Sequence, residues 1–230
     1  MREKRRRSGI GRGVSMFVLG YLRNRYKVLF YAILFVLVAI PILSALRFSG
    51  VLIEWLLAAS LLAAIIPVGG VRSRPYLLIA MLAVWLARPL TVWIEHPLFS
   101  AMTLGVWTAI GLLAAAAALR FAMRATAVDA EHLYAALSAY LLAGVFFGLL
   151  YFAVEQLSPG MFTSPTNFTQ TSAIYFSFVT LATLGYGDIA PRGDIARSLS
   201  IIEGVGGQLF LAVLVARLVS LYTRAADDRL

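Results

Sequence analysis

The sequence predicts an all-α membrane protein of six transmembrane helices, with a short re-entrant helix and loop between the fifth and the sixth. Three observations predict it. The 230 residues are 61% hydrophobic and 13% charged, with a mean hydropathy of +0.85, where a soluble domain carries about 25% charged residues. Six apolar runs approach or reach the length of about 20 residues that a spanning helix needs. One further apolar run lies between the last two, is too short to cross, and ends in glycine-rich backbone.

The chain opens on a basic segment, residues 1–27, with Arg2, Lys4, Arg5, Arg6, Arg7, Arg12, Arg23, Arg25 and Lys27, and this segment accounts for much of the net charge of +9. A basic run directly before a span reads as a cytoplasmic segment that sets topology and touches anionic membrane lipid. Nucleic acid is not expected as a partner, because no soluble fold follows the run. A signal peptide is not expected either: residues 28–46 are longer than a 7–15-residue apolar region and lack a small-residue cleavage site.

The predicted spans are residues 28–46, with a kink at Pro41; 51–68, stopped by Pro67 and Gly69-Gly70; 76–94, interrupted by Arg88-Pro89; 98–119; 133–154; and 198–221. Residues 28–119 form a four-helix bundle, 120–132 an interfacial linker, 133–222 the last two spans with the short helix, and 223–230 a short tail. No soluble domain is expected. Basic residues at the span ends place both termini in the cytoplasm: Arg72, Arg74, Arg120, Arg124, Arg217, Arg224 and Arg229 fall inside, and only Arg47, Arg88, Arg192 and Arg197 outside. The short helix then enters from the outer side.

There is no Cys, hence no disulfide and no thiolate chemistry. No nucleophile–base pair, paired carboxylates, phosphate loop or metal-ligand cluster appears, so neither an enzyme nor a resident cofactor is expected. His96 and His132 have no metal-ligand company, and His132 reads as an interfacial residue. The Asn167-Phe168-Thr169 sequon carries meaning only in a eukaryotic secretory route.

Residues 155–170 are a polar loop, and residues 173–182 an apolar helix of about ten residues. Such a helix followed at once by Gly185, Tyr186 and Gly187 is irregular backbone at membrane depth, tolerated only where protein buries it or where it lines a water-filled path. Residues 175–191, YFSFVTLATLGYGDIAP, resemble the pore segment of the potassium-channel superfamily, whose filter is usually written T-V-G-Y-G-D. The resemblance is close over the short helix and the run after it, extends to the fifth and sixth spans by placement, and reaches the first four only by count.

That resemblance implies a re-entrant pore helix and a selectivity-filter loop of Thr183, Leu184, Gly185, Tyr186 and Gly187, binding K+ through Thr183, Leu184, Gly185 and Tyr186. A dehydrated potassium ion exchanges its water for a cage of carbonyl oxygens, and the glycines allow the backbone to aim them. The implied assembly is a homotetramer, because each chain has one such loop. Asp188 would anchor the filter through Tyr175, which stands where many relatives carry a Trp; a solvated charge at the mouth is the other reading of Asp188. Ala182 and Leu184 depart from the usual Thr and Val, which keeps a weakly selective cation channel open as an alternative. A potassium-uptake transporter subunit is a further one.

Gly207 matches the family's gating-hinge position, with Gly204 beside it, and close helix packing explains the same glycines equally well. Glu203 is an ionisable residue within a span, a functional candidate by default, facing either the filter scaffold or a neighbouring subunit. The fourth span carries no Arg or Lys, so little intrinsic voltage dependence is expected. Arg88 and Glu54 are expected to pair. A separate regulatory subunit is left open, as is the gating stimulus.

Overall fold

The computed structural model describes residues 24–45, 79, 97–125 and 129–227. The expected spans 51–68 and 76–94, with Arg88 and Glu54, lie outside this set apart from Ile79. The described elements are helices α1 (Arg25–Ala45), α2 (Pro97–Ala122) and α3 (Ala130–Leu157), strand β1 (Phe162–Thr163), helix α4 (Gln170–Leu181), strand β2 (Ala190–Pro191) and helix α5 (Asp194–Asp227). Four of these helices, α1, α2, α3 and α5, are long and apolar enough to cross a membrane, and the chain is a multi-pass membrane protein.

Helices α3 and α4 begin three residues ahead of their apolar runs, because capping chemistry rather than hydropathy sets those starts. α3 starts at Ala130, where the Asp129 side chain accepts the His132 backbone N–H at 2.8 Å. α4 starts at Gln170 behind a capping box, in which Thr169 and Ser172 each satisfy the other's backbone N–H. α5 begins with Asp194 in its first turn, a carboxylate where the helix dipole favours one. α1 passes through Pro41 as a single element.

α3 is the central helix. Against it α1 sets a face of Tyr26, Leu29, Ile33, Val36 and Ile40, all buried at spacings of three and four residues. α2 packs on α3 through Trp107, Ile110, Ala114 and Ala118. The α2–α3 connection is pinned twice: Glu131 accepts the Tyr26 N–H at 2.8 Å, and Arg217 of α5 donates to the Ala125 carbonyl at 2.6 Å. The His132 ring stacks on Phe121 at 4.5 Å.

α4 lies against α3 because Gly144 and Gly148 clear a path for it. A Cβ at Gly144 would stand 2.6 Å from the Phe178 ring, and one at Gly148 would stand 3.0 Å from the Ile174 nitrogen. Two glycines four apart on an apolar helix are the small-residue spacing that lets helices approach in a bilayer. At about 1.5 Å per residue, the 12 residues of α4 fall well short of the roughly 30 Å of a bilayer core.

The candidate ion filter

The run 182–188 emerges from the C-terminal end of α4, and its first residues are set by how that helix stops. Ala182 is the C-cap. The Thr183 N–H then bonds the Thr180 carbonyl at 3.0 Å, and the Leu184 N–H bonds the Val179 carbonyl at 2.9 Å. This pair of bonds is a Schellman termination, which requires a left-handed residue after the cap, usually Gly. Here that residue is Thr183, at φ 56°, the only non-glycine with positive φ among the described residues. A β-branched residue in this region is strained, at a cost of about 1–3 kcal/mol.

Gly185 and Gly187 follow at φ 60° and 78°, while Leu184 and Tyr186 keep negative φ. The hand of the backbone therefore alternates residue by residue from Thr183 to Gly187. Alternating left- and right-handed residues cancel the coil that either would make alone, so the strand extends. Successive carbonyls are then presented along it rather than bonded into a helix. Among the described residues no backbone hydrogen bond uses the carbonyls of residues 183–187, and every residue from 182 to 188 is exposed in the single chain.

The flanks of the strand are tied down. Tyr175 stacks on Tyr186, with ring centroids 6.5 Å apart and planes within 7°. The Tyr175 hydroxyl lies within electrostatic reach of the Asp188 carboxylate, so the structure brings these two residues near each other across the run. Past Asp188, Ile189 is buried beside Tyr151, Phe162 and Phe176, and the chain enters the β1–β2 pair, Phe162 opposite Pro191 and Thr163 opposite Ala190. The Met161 carbonyl accepts the Arg192 N–H at 2.7 Å. Glu155 at the end of α3 accepts the Gly160 and Phe162 N–H groups at 2.7 and 3.1 Å. The exit of the run is thereby fastened to the end of α3.

Behind the run, α5 passes along α4. Gly207 is buried against Leu181, and Gly204 lies beside Thr180, whose Cγ2 would stand 3.8 Å from a Cβ there. The Tyr140 hydroxyl donates to the Leu181 carbonyl at 3.3 Å. Glu203, 1% exposed, faces the scaffold of the run: Tyr151 donates to its Oε2 at 2.6 Å and Ser177 approaches its Oε1. Neither Ser177, Tyr151 nor Glu155 stands out in the sequence as a site residue. Gly144 and Gly148 carry a visible signal, the spacing G-x-x-x-G in the fifth span.

Over residues 135–224 the chain matches the family described as Ion channel. Its curated relatives agree. The chain is 36% identical over 89 residues to an inward rectifier potassium channel of Paramagnetospirillum magnetotacticum, covering 37% of this chain and 28% of that one. This segment, which holds the run 183–187, is what the chain shares with that potassium channel. The chain is also 41% identical over 91 residues to a two pore potassium channel of Oryza sativa subsp. japonica, covering 39% of this chain and 18% of the relative. A two-pore potassium channel of Arabidopsis thaliana is 46% identical over 48 residues, 21% of this chain and 17% of the relative. The chain thus matches less than a third of the length of each of these relatives. No solved structure matches it. The family and these relatives are channels, not enzymes.

Proposed function

We propose that this chain is one subunit of a homotetrameric, potassium-selective channel of the cell membrane that conducts K+ passively through a backbone-carbonyl filter. The observation that carries the reading is the alternating backbone of Thr183, Leu184, Gly185, Tyr186 and Gly187, with positive φ at the first, third and fifth. Such a strand offers carbonyl oxygens in place of an ion's hydration shell. α4 is the re-entrant pore helix, and its C-terminal end, negative by the helix dipole, faces a cation at the inner end of the strand. Thr183 adds a hydroxyl there, and Asp188 with Tyr175 braces the outer end.

The assembly is supported by what a single chain leaves uncovered. Only 11% of the α5 span is buried within the chain, against 56% of α3, and Ile201, Ile202, Val205, Leu209 and Val213 are exposed along it. Together with the exposed run, this surface fits three further copies around a common axis. In the proposed topology six spans place both termini in the cytoplasm, and the filter opens outward. The pore unit is residues 133–222, behind a bundle at 28–119. α2 carries a single charged residue, Arg120, in its last turn. Each charge moved through the field contributes about 2.3 kcal/mol per 100 mV, so α2 supplies little voltage dependence.

Vesicles loaded with potassium and containing the purified protein test this reading. They are expected to release K+ and to retain Na+ in the mirror experiment, and Gly185→Ala is expected to abolish the flux. Equal release of both ions, or undiminished flux through the Gly185→Ala protein, overturns it.

A further inference from the structure

Glu203, Ser177 and Tyr151 are fully buried polar residues, each no more than 1% exposed, on three different helices: α5, α4 and α3. Their oxygens form one chain. Tyr151 Oη lies 2.6 Å from Glu203 Oε2, Ser177 Oγ is in hydrogen-bond contact with Glu203 Oε1, and Ser177 Oγ lies 2.6 Å from the Gly144 carbonyl oxygen.

Three close oxygen pairs need three protons, because two oxygens at this separation without a hydrogen between them repel. Tyr151 and Ser177 hold one each, and the Gly144 carbonyl has none. The neighbouring Ser200 hydroxyl lies 2.8 Å from the Ala196 carbonyl oxygen and otherwise neighbours Tyr151, so it places no proton between Ser177 and either of its partners. With an ionised Glu203, Ser177 could serve either the carboxylate or the Gly144 carbonyl, and the other pair would be two bare acceptors in a buried site. With a carboxylic acid every contact is filled: Tyr151 donates to Oε2, Oε1 donates to Ser177, and Ser177 donates to Gly144.

The surroundings agree. The ionisable groups facing Glu203 from the packed helices are Tyr151 and Tyr140, both of α3; α4 faces it with Ser177. Among the described residues no Lys, Arg or His forms an ion pair with it. A buried carboxylate without a cation is costly, and neutralising itself is the usual escape.

We propose that Glu203 keeps its carboxyl proton in the folded pore and is a positioning residue, the middle link of a donor chain running Tyr151, Glu203, Ser177, Gly144 that fixes α4 between α3 and α5. Glu203 touches no ion. It acts through α4, one turn of α5 before Gly207, where the helix meets Leu181 at the root of the filter. Its effect on conduction rests on the channel reading above; its protonation does not.

Infrared difference spectra between the unmodified protein and Glu203→Gln, at neutral pH, read the proton directly. The expected result is a protonated-carboxyl C=O band in the unmodified protein that the variant lacks; a difference confined to carboxylate bands overturns the proposal. Gln offers an N–H to Ser177 and a carbonyl to Tyr151, so Glu203→Gln is expected to keep K+ flux and its preference over Na+, whereas Glu203→Ala loses most of both. A Gln variant as impaired as the Ala variant also overturns it. If the unmodified protein passes no K+, the channel reading fails while the infrared result still decides the proton.

Discussion

A Cβ on Gly207 would stand 3.0 Å from the carbonyl oxygen of Leu181 and 2.7 Å from its Cδ1. α5 is therefore in close contact at Gly207 with Leu181, the last residue of α4. At Gly204 the nearest atom would be an ordinary 3.8 Å away. The two glycines at the candidate hinge differ in what they allow. Gly207→Ala is expected to lower the stability of the detergent-solubilised protein by about 1–3 kcal/mol, the usual cost of overpacking. Gly204→Ala should leave it unchanged or raise it by about 0.5–1 kcal/mol, as Gly to Ala does within a helix. Thermal unfolding of the two variants checks this, and equal melting of both would remove the packing role from Gly207.

Thr183 occupies the left-handed position that ends α4, a place where Gly fits without strain. Thr183→Gly is expected to be more stable than Thr183→Ala by roughly 1 kcal/mol, since only Ala retains the steric cost of a Cβ at positive φ. Both lose the hydroxyl, so both should lose K+ affinity relative to Thr183→Ser. Unfolding curves measure the first effect, and block or competition by permeant ions the second.

Tyr175 and Asp188 face each other across the proposed filter. Under the proposed anchoring, Tyr175→Phe keeps the ring stacked on Tyr186 and removes the hydroxyl that would donate to the Asp188 carboxylate. A hydrogen bond to a charged group contributes about 1.5–3 kcal/mol. The expected result is a filter less firmly held at its outer end, read as a several-fold fall in preference for K+ over Na+. Unchanged selectivity in the variant would mean that Asp188 is only a charge at the mouth.

Much of this site was legible before the fold. The short apolar helix stands out because it is half the length of its neighbours, and the glycines after it announce irregular backbone. Glu203 stands out because a carboxyl in an apolar span needs a reason. Its partners do not: Tyr151 and Ser177 lie 52 and 26 residues away, and only the packing of α3, α4 and α5 brings them together. The β1–β2 pair is equally silent, because two residues per strand carry no alternation to read. Helix starts lie a few residues ahead of the apolar runs, since Asp129 and Thr169 are caps and Asp194 opens α5, all outside those runs.

Asp129 gives the linker a pH response. Partial burial raises its carboxyl pKa, but bonds from the His132 backbone and ring outweigh this and hold it below the usual carboxylate range. A group depressed in the folded state stabilises above its unfolded pKa, about 3.9, and loses that contribution as pH falls through the folded value. Asp129→Ala is expected to cost about 1 kcal/mol as a lost N-cap. Asp129→Asn keeps the cap and flattens the acid limb. Unfolding measured between neutral pH and the acid limit distinguishes the two.

Reversal potential in planar bilayers, with K+ on one side and Na+ on the other, tests the central claim most directly. A carbonyl filter built by residues 183–187 predicts a reversal displaced far from zero, with the K+ side negative, as a high K+ to Na+ permeability ratio requires. A reversal near zero, with both ions carried alike, or no current from well-folded tetramers, would contradict it.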